Sequence, residues 1–452
     1  MTIKGKIVNK FTRVGFILTA AGSAVGLGNI WKFPYVTGEY GGGAFVIVYL
    51  LAILFIGLVV FLAEAVIGQN AQANVATSFV QTSKSKNEKW KFAGIIIFSG
   101  LIILSFYSVV LGWILNYVFT SFSSLPSDAK TAGEAFETLI SKDIALQLFY
   151  HTLIAGSVIF IVLKGIKNGI EKVNLILMPL LGLILFGLLL YSFTLDSFST
   201  ALKFMFTPDF SKINEDALLA ALGQAFFTLS LGVGTIMTYS ASLDKNANFV
   251  KSSIMVAIID TTIAIIAGLI IFSFLFEAGA KSADGPGLVF ISLPVIFSGW
   301  GILGQVIAIS FFLALVFAGI TSAVSMIEPS LMYFVERFNM TRKKATILCG
   351  GVFYGLGIIA LLSMSTKYGA DLTFFGKNAF DLMDFITSSI MMPIAAIVTC
   401  LFLGYFVDKQ LLEEKFLKHT SKNLFNIWYV LVKYIVPFVI LLLLLNKLGI
   451  LK

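Results

Sequence analysis

Charge, cysteine and histidine are all scarce in this chain. Only 12% of its 452 residues are Asp, Glu, Lys or Arg, against about 25% in soluble domains. A soluble fold of this length needs far more polar surface, so a bilayer must cover this one. Both cysteines, Cys349 and Cys400, lie inside apolar runs, which argues against a disulfide framework and against redox chemistry. The two histidines, His151 and His419, fall near span or loop ends with no metal-ligand spacing. The sequence carries no P-loop, and no nucleophile–base set or metal cluster falls at depth, which speaks against an ATP-driven pump and against an enzyme. No signal-peptide pattern is present, because the first apolar run leads into another span.

What is abundant is apolar. Hydrophobic residues make up 58% of the chain and phenylalanine alone numbers 44, for a mean hydropathy of +0.95. A helix needs about 20 apolar residues to cross the hydrocarbon core. Eleven segments qualify, near 14–36, 44–69, 93–122, 147–163, 170–193, 218–240, 249–276, 305–335, 345–363, 383–404 and 427–446. Runs this continuous are not those of a strand barrel. The fold class expected is an all-α membrane protein of about 11 transmembrane helices, with the lipid bilayer as its surroundings. With the N-terminus inside, about 21 Lys and Arg fall on the cytoplasmic side and about 10 outside, the bias the positive-inside rule requires. An odd number of spans then leaves the C-terminus outside. This placement explains the net charge of +8 without nucleic acid. Lys433 falls within the last span, at the interface or snorkelling towards it. Two outer connections, 121–143 and 277–304, are long enough to act as lids; the second contains Asp284, Gly285, Pro286 and Gly287.

Two spans are interrupted. The first contains GSAVGLGNIWKFP from Gly22 to Pro34, the sixth FFTLSLGVGTIMTYS from Phe226 to Ser240. Glycine costs a helix interior about 1 kcal/mol against alanine. Backbone freed by a break within a bilayer must line a cavity, hold an ion or meet polar neighbours. A glycine pair alone is explained as well by close helix packing, but spans one and six hold corresponding places if 1–5 and 6–10 form two halves. The two halves show no clear sequence similarity. Carboxylates at depth are costly and need partners. Glu64, in FLAEAVIGQN, could accept amide bonds from the broken sixth span. Asp260, in VAIIDTTIAIIAG, reads as a cation ligand or proton carrier, or else as a hydrogen-bonded packing residue. Thr321 and Ser322, in span eight, offer hard oxygens or simply bond back to their own helix. Tyr107 offers a hydroxyl in span three that needs a partner.

The ordered set GSAVGLGNIWKFP, GGGAFVIVYL, FFTLSLGVG and FAGITSA resembles the neurotransmitter:sodium symporter family, specifically its bacterial amino acid transporters of the leucine-transporter type. The likeness runs from about Phe11 to Asp384 and beyond. It implies one transmembrane transporter domain over 1–452: a 5+5 inverted repeat (11–195 and 215–405) with unwound first and sixth helices, and an additional helix at 425–448. It implies sodium-coupled uptake of an amino acid across a bacterial inner membrane, with two sodium ions. A first sodium site would use Ala24, Asn29, Thr228 and Asp260. A second would use Gly22, Val25, Ala318, Thr321 and Ser322. The substrate would lie among Ala24, Gly26, Ile103, Tyr107, Phe227, Ser230, Val233, Ala323 and Met326, with Tyr107 bonding its carboxylate. No charged side chain lines that set, so a neutral, apolar amino acid fits, and small Val233 and Ala323 leave room for a large aliphatic or aromatic one.

The resemblance also implies gates. Lys32 would pair with Asp384 over Phe227 and Tyr107 on the outside; where many relatives carry arginine, lysine lacks the planar bidentate contact. On the inside Glu336 is the acidic partner. Ile7 stands about where the family has arginine, Lys6 or Lys10 would substitute, and Ala241 and Ser242 replace a more polar pair. Chloride-dependent relatives have hydroxyl and amide donors that Tyr49, Gln224 and Thr228 keep here, but the serine of span seven is Ala264. With Asp260 one turn earlier supplying fixed negative charge, no chloride requirement is expected. An ion channel, or a sodium-coupled carrier of similar fold for a non-amino-acid solute, are the rival readings; the chain has no repeated filter or continuous polar pore. Oligomeric state is not legible.

Overall fold

The computed structural model describes residues 10–123, 125–280, 285 and 287–450. It is almost wholly helical; one two-stranded hairpin, Thr373–Phe374 against Lys377–Asn378, is the exception among the described residues. Among the described residues nine helices are long and apolar enough to cross a membrane, and the bent pair Arg13–Ala24 and Gly28–Glu39 makes a tenth span. The expected sixth span consists of two shorter helices, Glu215–Thr228 and Thr235–Ala241. Length and composition therefore yield ten spans rather than the eleven expected, because the break in span six divides it into pieces too short to qualify alone. Spans are numbered below in chain order with that broken pair as span six.

Span lengths repeat after five. Spans two (Gly43–Ala71) and seven (Phe249–Glu277) have 29 residues each, and spans three (Glu88–Thr120) and eight (Gly301–Phe338) have 33 and 38. Spans four (Ile144–Leu163) and nine (Arg342–Ser363) have 20 and 22; spans five (Ile166–Ser192) and ten (Ala379–Phe406) have 27 and 28. Span eleven (Lys422–Lys447) stands outside the series. Local chemistry sets many of the starts: Thr12, Asn214, Asn248, Thr341 and Asn378 each accept a backbone N–H of the first turn, the usual role of such residues at an N-cap.

Burial separates interior from periphery. In span three 78% of the apolar window is buried and in span five 28%, so span five presents Leu183 and Phe186 outward on the lipid-facing side of the bundle. Cys349 and Cys400 are both buried as free thiols. Lys433 lies against the rings of Tyr405, Tyr429 and Tyr434, an aromatic setting suited to an interfacial ammonium. The two long outer connections contain short helices, Ala129–Glu137 and Leu288–Gly299. Phe136 and Phe290 stack between them with centroids 4.7 Å apart, and the Trp31 indole donates to the Gly285 carbonyl at 3.2 Å. Asp284 and Pro286 lie outside the described residues.

Candidate functional site

Span one stops at Ala24, where Val25 turns extended, and resumes at Gly28 after a bend of 51°. The freed amides find side chains. Gly26 N–H donates to Asn29 Oδ1 at 3.0 Å and Leu27 N–H reaches Tyr107 Oη at 3.4 Å. A Cβ on Gly26 would lie 2.7 Å from Ser322 Oγ and 3.1 Å from Tyr107 Oη, so only glycine lets these three spans meet. Span six breaks from Leu229 to Gly234, with Ser230, Gly232 and Gly234 all at positive φ, which costs any residue but glycine. Glu64 Oε1 accepts the Gly232 N–H at 2.8 Å, the amide donor expected for that carboxylate.

Two clusters of oxygen form beside the breaks. In the first, Asp260 Oδ1 accepts from Asn29 Nδ2 at 2.8 Å and from Thr228 Oγ1 at 3.0 Å, while Thr228 Oγ1 lies 3.1 Å from Oδ2. All three side chains are buried, as is Ala24 at the end of the first helix. In the second, Ser322 Oγ lies 3.2, 3.3 and 3.1 Å from the carbonyls of Gly22, Ser23 and Val25, and Thr321 Oγ1 lies 2.9 Å from the Ala318 carbonyl. The five residues expected to hold a second sodium thus converge, and so do Asn29, Thr228 and Asp260 of the first. Carbonyls and hydroxyls are ligands for a hard cation. The first cluster carries a carboxylate and the second is neutral.

Between the clusters is a narrow cavity of about 20 Å³ lined by Ala24, Gly26, Ile103, Tyr107, Phe227, Ser230, Val233 and Met326, together with Ser23, Leu27, Gly28, Thr235, Ser322 and Met392. Ala323 is buried and is not among the residues lining this cavity. Ser322 and Met326 are four residues apart on one helical face, and Ala323 points about 100° away from Ser322. Ser23, Thr235 and Met392 were not anticipated. Nor was Ser325, whose hydroxyl donates to the Ser322 carbonyl at 2.6 Å and accepts from Ser23 at 2.8 Å. Ser230 Oγ in turn donates to the Ser23 carbonyl at 2.8 Å.

Leu27, Gly28, Tyr107 and Phe227 also line a larger vestibule of about 340 Å³, together with Lys32, Gly285 and Asp384. The expected Lys32–Asp384 pair is not formed. The Lys32 ammonium lies 5.1 Å from the Phe227 ring centroid, and Asp384 Oδ1 accepts from Ser388 at 2.7 Å.

The opposite end is closed by other contacts. Glu336 accepts from Asn74 N and Nδ2 at 2.8 and 2.7 Å, and from no basic residue among those described. Lys10 pairs instead with Asp244 at 3.0 Å, and Phe11 N–H donates to the Ser242 carbonyl at 3.2 Å. Lys6 and Ile7 lie outside the described residues. Arg342 makes a bidentate pair with buried Glu328 at 2.8 and 2.7 Å, unanticipated because Arg342 reads as one more loop charge. Near the supposed anion position, Gln224 Nε2 donates to the Gly28 carbonyl at 2.7 Å, and Ala264 is buried.

Helices broken around a shared pocket, within a bundle of apolar spans, are the build of a secondary transporter. The chain belongs to the sodium:neurotransmitter symporter family, whose model matches residues 9–143 and 133–451. It is similar to the sodium-dependent transporter YhdH of Bacillus subtilis (strain 168), 35% identical with 99% of each chain covered. A sodium-dependent transporter of Haemophilus influenzae is 33% identical over 97% of each. Among solved structures, MhsT in complex with L-phenylalanine is 40% identical, with a TM-score of 0.86 over 97% of this chain and 99% of that one. The protein is thus a multi-span membrane protein and a sodium-coupled transporter, of a family that transports rather than catalyses.

Proposed function

We propose that this protein imports a neutral, apolar amino acid, large aliphatic or aromatic, together with two sodium ions and without a chloride requirement. The observation that carries this reading is the pairing of two buried oxygen clusters with one pocket. The first cluster, with Ala24, Asn29, Thr228 and Asp260, brings one negative charge to one cation. The second, with Gly22, Val25, Ala318, Thr321 and Ser322, holds the other by dipoles alone. The Gly26 and Leu27 amides and the Tyr107 hydroxyl suit a substrate carboxylate. No charged side chain lines the pocket, and Ile103, Val233, Met326 and Met392 form its apolar wall, which must part to admit a large side chain because the cavity here is only about 20 Å³. The bound L-phenylalanine of the MhsT complex supports an aromatic substrate. Asp260, one turn from Ala264, supplies the negative charge that chloride would otherwise bring.

The repeat of span lengths supports two halves, 11–195 and 215–405, inverted about the pocket, with the segment at 425–448 added. Alternating access moves one bundle against the other. Lys32 and Asp384 draw together as the outer vestibule shuts, while the Lys10–Asp244 contact and Glu336 with Asn74 let go as the inside opens. The membrane is the bacterial plasma membrane, with the N-terminus cytoplasmic and the C-terminus outside.

The test is uptake of twenty amino acids into proteoliposomes, with sodium replaced by choline. Uptake of phenylalanine, leucine or tryptophan that vanishes in choline is expected. Uptake indifferent to sodium for every substrate refutes coupling, and stronger competition by charged amino acids than by phenylalanine refutes the substrate class.

A further inference from the structure

Spans ten and eleven meet at Gly404, far from the pocket. A Cβ on Gly404 would lie 3.0 Å from Lys433 Cγ and 3.1 Å from its Cα, so the glycine lets the lysine stem rest on span ten. Tyr429 Oη donates to the Gly404 carbonyl at 3.1 Å. Both helices widen to a π turn here, Phe402–Phe406 in span ten and Leu431–Ile435 in span eleven, a form frequent where a helix carries a function. The Lys433 ammonium emerges among rings, 4.7 Å from the Tyr405 centroid, 5.3 Å from Tyr434 and 5.8 Å from Tyr429. Lys409, from the short helix Lys409–Leu417, lies 5.1 Å from the same Tyr429 ring.

Depth makes this arrangement costly. Lys433 is 14 residues short of Lys447, where span eleven ends. That is about 21 Å of helix, so in a hydrocarbon core about 30 Å thick Lys433 starts about 9 Å inside the far boundary. Its stem carries the charge part of the way out, and the ring faces attract it, but an ammonium at depth still calls for an anion. None of the ion pairs among the described residues includes Lys433 or Lys409. Asp408, beside Lys409, accepts the Gln410 N–H at 3.1 Å, and Glu413 pairs with Lys422 at 3.5 Å. Tyr405 and Tyr434 are exposed, and four residues further along each span so are Leu401 and Phe438. The surface is thus apolar along its length and positive at one end, which is the complement of a lipid with a negative headgroup.

We propose that Lys433 and Lys409, with Tyr405, Tyr429 and Tyr434, form a site for the phosphate of an anionic glycerophospholipid, whose acyl chains lie along Leu401 and Phe438. Lys433 meets the phosphate from within the membrane and Lys409 from its surface. A zwitterionic lipid brings a cation of its own, which two lysines repel, so the site selects net negative charge. The orientation proposed above puts the lipid in the cytoplasmic leaflet; the site itself does not depend on sodium coupling.

The test titrates full-length protein in detergent with dioleoyl phosphatidylglycerol or dioleoyl phosphatidylcholine and counts bound lipid by native mass spectrometry. Sodium-dependent binding of tritiated L-phenylalanine reports the fold of each variant. The parent should hold phosphatidylglycerol about tenfold more tightly, in the range two lysines near a membrane surface supply. Lys433→Gln should bring the two lipids within about twofold of each other, Lys433→Arg should keep the preference, and Lys409→Gln should lose about threefold of it. Lys415→Gln, in the same short helix as Lys409 but over none of these rings, should leave it unchanged. A parent without preference overturns the site, as does a preference that survives Lys433→Gln. A preference lost equally in Lys415→Gln also overturns it, since net surface charge then explains the binding. Displacement of the lipid by millimolar inorganic phosphate would replace the lipid site with a free-phosphate one. Should Lys433→Gln fail to fold, an unchanged preference in Lys409→Gln overturns the site. Sodium-independent phenylalanine binding in the parent would refute the coupling reading and leave this site standing.

Discussion

Replacing Asp260 by Asn separates charge from shape in the first oxygen cluster. The amide has the carboxylate's outline and keeps one oxygen for the Asn29 donor now at 2.8 Å and the Thr228 hydroxyl at 3.0 Å. What it removes is one unit of charge facing a cation in a site with no solvent access. Two unit charges about 4 Å apart interact by about 4 kcal/mol at an effective dielectric of about 20. The amide dipole keeps an oxygen on the ion, so the net loss is smaller, about 1.5–3 kcal/mol. At about 1.4 kcal/mol per tenfold, half-saturating sodium rises roughly 10- to 150-fold. The assay is a sodium titration of tritiated L-phenylalanine binding to purified protein, with choline holding ionic strength constant and thermal unfolding confirming the fold. Half-saturating sodium within twofold of the parent, in a folded variant, would refute the reasoning and reduce Asp260 to a packing residue.

Other outcomes follow from the same geometry. Gly232→Ala places a Cβ 2.5 Å from the Met392 carbonyl at a φ of +74°; the left-handed backbone alone costs about 1–2 kcal/mol, and uptake should fall below a tenth of the parent's while membrane insertion, read by surface labelling, persists. Arg342→Met leaves Glu328 buried without its partner, a loss of about 3 kcal/mol or more, so the melting temperature drops by several degrees; Lys10→Ala at an exposed pair should not move it. The Asn246 N–H and the Lys10 ammonium hold the Asp244 carboxyl below the usual carboxylate range. A depressed acid contributes above its unfolded pKa and loses that contribution as pH falls through the folded one. The Lys10–Asp244 contact should therefore be constant from about pH 6 to 9 and fail only below about pH 4, with salt weakening it throughout; an uptake pH profile of Lys10→Ala that diverges from the parent's between pH 6 and 9 would contradict this. Replacing chloride by gluconate should leave uptake within about twofold, and a larger loss would show that Asp260 does not take the anion's place.

The spans and both breaks were legible because their signals are local: run length in one case, glycine where a helix should continue in the other. Glu64, Asp260, Thr321 and Ser322 were legible for a related reason, since polar groups at depth are too costly to be incidental. The failures are of two kinds. Ser23 and Ser325 look like serines bonding back to their own helix, and Ser325 does so at 2.6 Å; its second bond, to Ser23, is visible only once spans one and eight are side by side. Arg342 and Glu328 are 14 residues apart on either side of a turn, and composition cannot tell an arginine that folds back from one that faces water. Lys32, Asp384 and Glu336 fall between these cases. In the structure Lys32 lies over the Phe227 ring, Asp384 accepts from Ser388 and Glu336 from Asn74, and neither expected pair is formed among the described residues.

The two breaks divide the polar backbone they release. The first half of span one ends at Ala24 with carbonyls free of helix bonds, the negative end of a helix dipole, and Gly22, Ser23 and Val25 turn theirs to the Ser322 hydroxyl. Span six's break turns a Gly232 amide to Glu64. A hydroxyl proton can satisfy only one of three carbonyls at a time, so the second cluster is left with acceptors in excess, whereas the Gly232 amide has its acceptor in Glu64 Oε1. The imbalance is sited where a small cation would supply what the hydroxyl cannot. It also explains why Ser322 is better suited to that position than alanine: the Ser23 carbonyl keeps its bond from Ser230, but alanine would leave the Gly22 and Val25 carbonyls without the hydroxyl whenever the ion departs, and unpaired backbone within a bilayer is costly.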